Sequence, residues 1–355
     1  MKKVLITPLD WGLGHATRCI PIIRELQSRG CLVSIGGSGD SLTLLRKEFS
    51  SLTFFELPGY NPVYPSTGSM VWKMASQLPK FRKVIREEHE CVERIIEENK
   101  IDLIISDNRY GCWSEKIPSV FITHQTNILM PKRFGWLAGI VRYLNNRMIN
   151  RFTYCCIPDC PDGQRLAGEL TSFGDHRVRT KVLYIGSLSR FKPTIQYEKK
   201  FDVLCIFSGP EPQRSMLEKI VSDQLPSSGL KYFIVRGIFS SSSFEDKHVV
   251  NFLATEKLQE AIEQSEVIIA RSGFSTVMDL AALGKKAIFI PTPDQTEQQY
   301  LAATLMKKKV AFSMPQNKFN LATAWQESKS YSGFASPHDE KDLLEKMLDE
   351  ILAKQ

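Results

Sequence analysis

Residues 266–303, EVIIARSGFSTVMDLAALGKKAIFIPTPDQTEQQYLAA, hold the densest set of side chains suited to a polar ligand. A β-branched run, Glu266 to Ala270, leads into the turn Arg271-Ser272-Gly273. From Ser275 onward, Val277, Leu280, Ala281 and Leu283 fall at helical spacing until Gly284. Lys286 to Ile290 then reads as a buried strand ended by Pro291 and Pro293. In an open parallel α/β sheet, ligands lie at strand carboxyl ends, where helix N-termini offer N–H groups to anions. That rule sets Ser272, Gly273, Ser275 and Thr276 where a phosphate docks. Asp279, one turn along the same face, suits a sugar diol, and Gln298 and Gln299 bring two amides at the start of the next helix. Phosphate donors, a carboxylate and two amides add up to a nucleotide-sugar pocket. Each residue also has a plain structural reading. Ser275 can cap its helix, Thr296 and Gln299 fit a capping box, and Asp279 can be a solvated helix residue.

A second group lies near the amino terminus. Residues 3–7 form a strand, a loop follows, and a helix from about Ala16 to Arg29 leads to a strand at residues 31–36. Gly12-x-Gly14-His15 fills the first turn of this βαβ opening. The dinucleotide fingerprint needs a third glycine at position 17, which holds Thr17, so a nicotinamide cofactor is disfavoured. His15 starts the helix, where the dipole lowers its pKa and keeps it neutral, as a general base requires. The competing reading is a histidine that caps the turn. Asp107 and His124 end two further strands, at residues 101–106 and 119–123, and face the same crevice by the same rule. They are reserve candidates for the base or for acceptor contacts, and equally for structural hydrogen bonding.

The elements that must position these residues fall into two α/β halves, as expected for 355 residues. Residues 1–186 read as the first domain, 187–200 as a linker, 201–336 as the second domain and 337–355 as a terminal helix. The first half continues with a strand at residues 53–57, a loop from Pro58 to Gly68 and a helical stretch from Ser69 to Glu98, kinked at Pro79. A helix from Pro131 to Arg151 carries Phe134, Leu137, Val141, Leu144 and Met148 in one stripe, with four arginines off it and Trp136 flanking. That pattern describes a core-facing helix or a surface helix on anionic lipid. The Ser240–Ser243 run reads as a flexible loop.

Composition narrows the class. The chain is 43% hydrophobic and 24% charged, with a net charge of +7, which fits anionic partners of several kinds. No basic run or aromatic-interleaved motif of a nucleic-acid module appears, so no nucleic-acid partner is expected. No stretch has the apolar length of a membrane span, and the amino-terminal apolar run is too short for a signal peptide. Eight scattered cysteines suit reduced thiols in a cytoplasm. Cys155, Cys156 and Cys160 cluster without a histidine at zinc spacing, so no metal is expected.

Arg271-Ser272-Gly273, Thr276, Asp279, Pro291 and Gln298-Gln299-Tyr300 together resemble the donor-nucleotide motif of GT-B glycosyltransferases. The similarity is greatest to the cell-wall N-acetylglucosaminyltransferases acting on polyprenyl-linked muramoyl peptides (MurG-like, with a glycosyltransferase family 28 C-terminal domain). That family usually has Glu at the ribose position; Asp279 is shorter but keeps the bidentate acceptor. The resemblance implies a GT-B fold, two Rossmann-like parallel-sheet domains facing across a cleft, with the terminal helix crossing back onto the first. It implies inverting transfer from a UDP-sugar to an acceptor hydroxyl of a glycan or lipid-linked acceptor, and peripheral contact with the inner face of the plasma membrane. His15 would be the base and Asp279 the ribose ligand, with Gln298 and Gln299 reading sugar hydroxyls. Arg271 or Arg214 would join the helix N-terminus in stabilising phosphate charge. The family's glycine-rich turn at the start of the second domain is reduced here to Gly209 between prolines, with Arg214 available to supply charge. His124-Gln125-Thr126-Asn127 resembles an HEQN segment with its glutamate replaced. No Asp-x-Asp motif stands in a suitable loop, so no cofactor is implied beside the donor itself. GLGHATRC also resembles the start of GT-B-fold hydrolases that cleave nucleotide sugars, in which His15 activates water and Arg18 joins the site. A third reading is a non-catalytic nucleotide-sugar binding protein.

Overall fold

The computed structural model describes residues 1–64, 70–161, 165–173, 178–192, 197–238, 247–335 and 341–353. Expectations placed on Gly68, Ser69, Pro193, the Ser240–Ser243 loop and the 336/337 boundary lie outside them. The chain divides into two compact units. The first comprises Met1–Val63, Val71–Ser189 and His338–Gln355; Arg190–Pro337 lies in the second.

In the first unit the order is β1 (Lys3–Pro8), α1 (Leu13–Ser28), β2 (Leu32–Gly37), α2 (Gly39–Glu48), β3 (Thr53–Glu56), α3 (Met70–Ser76) and α4 (Leu78–Asn99). Next come β4 (Leu103–Asp107), β5 (Ser119–Ile122), α5 (Ala138–Ile149), β6 (Tyr154–Ile157) and β7 (Lys181–Tyr184). The seven strands are parallel in the order β3-β2-β1-β4-β5-β6-β7. Near-continuous burial of β1, β4 and β5 marks a sheet covered on both faces. The order reverses between β1 and β4, and there Pro8 pairs with Asp107, which in turn pairs with Ile122. Register alone thus puts Asp107 at the carboxyl end of the switch point, where a crevice forms.

The second unit runs β8 (Phe201–Ile206), α6 (Gln213–Ser222), β9 (Tyr232–Val235), β10 (Val249–Val250), α7 (Thr255–Glu263), β11 (Ser265–Ala270) and α8 (Phe274–Ala282). It ends with β12 (Lys286–Phe289), α9 (Thr296–Lys307), β13 (Phe312–Ser313) and α10 (Leu321–Ser328). Six parallel strands lie in the order β10-β9-β8-β11-β12-β13, so the reversal falls between β8 and β11. Val203, Cys205, Ile269 and Ile288 from its central strands meet Leu217, Val221 and Leu321 in one core. Gly237 is held at φ +71°, and a Cβ there would stand 2.2 Å from the Phe207 carbonyl oxygen, so the loops after β8 and β9 close only with glycine.

The last helix, α11 (Lys341–Ala353), belongs to the first unit. Lys2 donates to the Leu352 carbonyl at 2.7 Å, Lys181 pairs with Glu350, Arg29 pairs with Asp349, and Met347, Leu348 and Ile351 are buried. Several elements differ from the sequence reading. The stretch expected as one kinked helix is two, parted at Gln77, with Pro79 in the first turn of α4, where its missing N–H costs nothing. The segment 131–151 is a 3-10 turn, Lys132–Leu137, followed by α5. Its buried face is Asn145 and Ile149, whereas Leu144 is 47% exposed. Asn145 takes a core position because its amide is satisfied: Tyr110 donates to it at 2.7 Å, and it donates to the Gln125 carbonyl at 3.1 Å.

Candidate functional site

The helix α1 begins at Leu13, after Gly12 at φ +87°, so His15 lies inside the first turn rather than ahead of it. Arg18, three residues on, shares its face. Both meet Asp107 at the end of β4. Arg18 grips the carboxylate with two donors, Nε at 2.6 Å to Oδ2 and Nη2 to Oδ1. Nη2 also donates to His15 Nδ1 at 2.9 Å, and Nη1 to His124 Nδ1 at 2.8 Å. His15 Nδ1 lies 3.3 Å from Asp107 Oδ2, and the Cys19 thiol donates to the same oxygen at 3.8 Å. The three candidates of this half therefore gather around one guanidinium. Arg18 and Asp107 are fully buried, while the His15 side chain stays 13% exposed.

Burial would raise the Asp107 pKa, but Arg18 and then His15 outweigh it and hold the carboxyl down to about 2. Burial first, and Arg18 second, push His15 below its ordinary value against the pull of Asp107. His15 is thus neutral at physiological pH, and Asp107 is ionised beside it.

A second buried pair braces the loops around this cluster. Arg109 and Glu88 are both fully buried and meet at 2.6 Å. Arg109 also donates to the carbonyls of Pro8 and Pro58 and to Ser38 Oγ, and Tyr60 and the Gly111 N–H donate to Glu88. A Cβ on Gly111 would stand 2.4 Å from the Ile85 carbonyl oxygen, so glycine is what lets this turn reach Glu88.

In the second unit, α8 starts after Gly273, which caps it with extended backbone, and Ser275 is its second residue, not its cap. Gly273, Ser275 and Thr276 are partly exposed at this N-terminus. Asp279 faces Arg190 at 3.6 Å. Four expected donor ligands are turned inward instead. Arg271, 1% exposed, donates to the carbonyls of Gln213 and Ile290 and to Gln316 Oε1 at 2.6–3.0 Å. Burial lowers its pKa to about 10. Ser272 Oγ donates to the Gln298 carbonyl at 2.8 Å, and Gln298 Oε1 accepts from the Thr292 N–H at 2.8 Å. Arg214 is engaged by Glu211, Glu218, Ser215 and the Arg236 carbonyl. For Arg271, Ser272 and Gln298 the reason is common: loops packed at the strand ends leave backbone carbonyls and N–H groups that need partners. Arg214 is held chiefly by the carboxylates of Glu211 and Glu218. Gln299 is exposed at the start of α9, and Gly209, at φ +103°, is exposed after β8. Helix α9 has Gln295 at its N-cap position, so Thr296 is its first helical residue and not the cap.

Sequence reasoning missed Arg190, which lay in the expected linker, and the Arg109–Glu88 brace. It met Arg18 only through the hydrolase resemblance. The i, i+3 spacing from His15 was the available signal, hidden by placing the helix start at Ala16.

Two doubly covered parallel sheets, each reversing its strand order once, define a class of α/β protein with the GT-B architecture. Residues 226–341 match the glycosyltransferase family 28 C-terminal domain. An uncharacterized glycosyltransferase of Methanosarcina acetivorans is 24% identical, covering 85% of this chain and 83% of its own. A UDP-N-acetylglucosamine--N-acetylmuramyl-(pentapeptide) pyrophosphoryl-undecaprenol N-acetylglucosamine transferase of Haemophilus influenzae is also 24% identical, over 85% and 82%. Among solved structures, Acinetobacter baumannii MurG superposes with a TM-score of 0.58 at 15% identity, covering 99% of this chain and all of that one. The chain is a glycosyltransferase of the GT-B fold, similar to MurG.

Proposed function

We propose that the chain transfers a sugar, with inversion, from a UDP-sugar to an acceptor hydroxyl. The observation that carries this reading is the His15–Asp107 pair at the switch point of the first sheet, with His15 neutral and partly exposed. In the reactive form the His15 Nδ1 proton faces Asp107, and Nε2 takes the acceptor proton as the oxygen attacks the anomeric carbon. Asp107 stabilises the imidazolium so formed. Departing UDP is stabilised by the N–H groups at the start of α8, with Gly273, Ser275 and Thr276 around the phosphates. Asp279 holds the ribose diol, Arg190 orients Asp279, and Gln299 reaches the sugar. Arg271, Ser272 and Gln298 serve by fixing the loops. A UDP-N-acetylhexosamine is the first donor to test, from the similarity to the Haemophilus enzyme.

A lipid-linked acceptor fits an exposed apolar patch in the first unit. Trp72 of α3 meets Phe134 edge-on at 5.8 Å, and Trp72, Trp136, Ile140, Tyr143 and Leu144 are 47–75% exposed. Lys73, Arg133 and Arg147 are exposed beside them. Aromatic and basic side chains in this mixture suit an anionic membrane surface. Among the described residues no helix is long and apolar enough to cross a membrane.

The placement of Arg18 inside the cluster also favours a second reading, nucleotide-sugar hydrolysis with water in the acceptor's place. UDP release over a panel of UDP-sugars, with and without polyprenyl-phosphate-linked acceptors, separates the two. Release that needs the acceptor and is lost in His15→Ala supports transfer; equal release in water alone replaces it with hydrolysis.

A further inference from the structure

A base at His15 needs the Nδ1 proton toward Asp107, yet the shorter contact at Nδ1 comes from Arg18, at 2.9 Å against 3.3 Å. A guanidinium has donors and no acceptor, so an imidazole nitrogen it bonds must present a lone pair. Arg18 meets two such nitrogens, Nδ1 of His15 and Nδ1 of His124. Its Nε and Nη2 meanwhile hold both oxygens of Asp107, so the guanidinium cannot turn without breaking a buried bidentate pair.

We propose that Arg18 is a positioning residue that divides the work of the two histidines. It fixes His124 as the Nε2–H tautomer, a hydrogen-bond donor and not a base. It holds resting His15 in that same tautomer until Nδ1 carries its proton to Asp107. For His124 to accept a proton at Nε2, its own proton would have to sit on Nδ1, pointed at a cation 2.8 Å away. His15 differs because a carboxylate oxygen lies beside the same Nδ1, so a small ring rotation exchanges Arg18 for Asp107. In that exchange Nε2 gives its proton to water and Nδ1 takes one from water, with no net change. His15 is then ready for the acceptor hydroxyl, while His124 keeps its proton on Nε2 and does not act as base. The roles rest on the proposed transfer reaction; the tautomers do not.

The test uses the full chain labelled with 15N-histidine, at about pH 8, above the ordinary imidazole value of ~6.5. Long-range 1H–15N correlations report the tautomer of each ring, assigned with His15→Gln and His124→Gln. The wild type should show Nε2–H at His124 and predominantly at His15. In Arg18→Lys, which keeps the charge and loses the fork, His15 should move toward Nδ1–H and His124 toward a mixture, with circular dichroism confirming the fold. An Nδ1–H signature at His124 in the wild type overturns the proposal, whether or not the variant folds. So do unchanged tautomers in a folded Arg18→Lys protein. In kinetics, His124→Gln, which can still donate, should lose less than the ~10²-fold that is the least a general base contributes, and a larger loss counts against the assignment. Absence of sugar transfer with every donor would sink the proposed reaction while leaving the tautomer pattern to be read on its own.

Discussion

At the switch point of the first sheet, the buried Arg18 binds other side chains; at that of the second, the buried Arg271 binds mainly backbone. Arg18, Asp107, His15 and His124 are linked by side-chain contacts at the end of β4 and the start of α1. Arg271, Ser272 and Gln298 instead satisfy carbonyls and an N–H of neighbouring loops, beside a helix N-terminus that stays partly exposed. On the proposed function, the difference teaches that proton transfer and anion binding ask for different materials. A proton acceptor needs a tuned side chain, whereas a phosphate is met by fixed backbone dipoles that require only a rigid loop.

The sharpest way to break this contrast is His15→Ala. Turnover should fall by about 10³-fold while nucleotide affinity, measured by calorimetry, stays within about twofold. A comparable loss of affinity would mean that the units do not divide the labour this way. Arg271→Ala should act through stability. With buried carbonyls left unpaired it should lower unfolding free energy by about 3–5 kcal/mol in urea titrations, and an unchanged midpoint would return Arg271 to the ligand. Asp279→Asn should weaken UDP binding roughly tenfold with turnover nearly kept, since one charge-assisted contact is lost. The pH dependence gives the smallest effect. Because the His15 pKa is lowered in the fold, the acid limb of kcat/KM should lie below the ordinary imidazole value. Asp107, ionised down to about 2, adds stability that is complete above its ordinary value of 3.8 and is lost as pH falls through 2. An acid limb above ~6.5 would show another group acting as base.

Much of this was legible in the sequence. The βαβ opening, the turn after β11 and the polar ends of β4 and β5 follow from apolar runs that stop at polar residues, because buried parallel strands write themselves as continuous hydrophobic segments. That is enough to bring His15, Asp107 and His124 to one sheet edge. What sequence does not carry is the direction in which a long side chain turns. Arg271 and Arg214 look like phosphate ligands by type and position, and only the packing of Gln213, Ile290 and Glu218 around them decides otherwise. Helix α2, with Leu42, Leu44 and Leu45 buried behind a Gly- and Ser-rich entry, went unread because its breakers outweigh its short apolar face. Asn145 inverts the expected stripe of α5 for the same reason: its satisfied amide is a tertiary fact.

The fastening of α11 bears on how the chain is made. Lys2 in the first residues and Leu352 near the last are hydrogen bonded across 350 positions, and Met347, Leu348 and Ile351 complete the burial. During synthesis the second unit is wholly emerged before that seat on the first can be filled. The first unit must therefore wait, with an apolar strip uncovered, until the whole of the second has been made. A chain interrupted between the second unit and α11 would carry its second unit complete and its first unit as the aggregation-prone one.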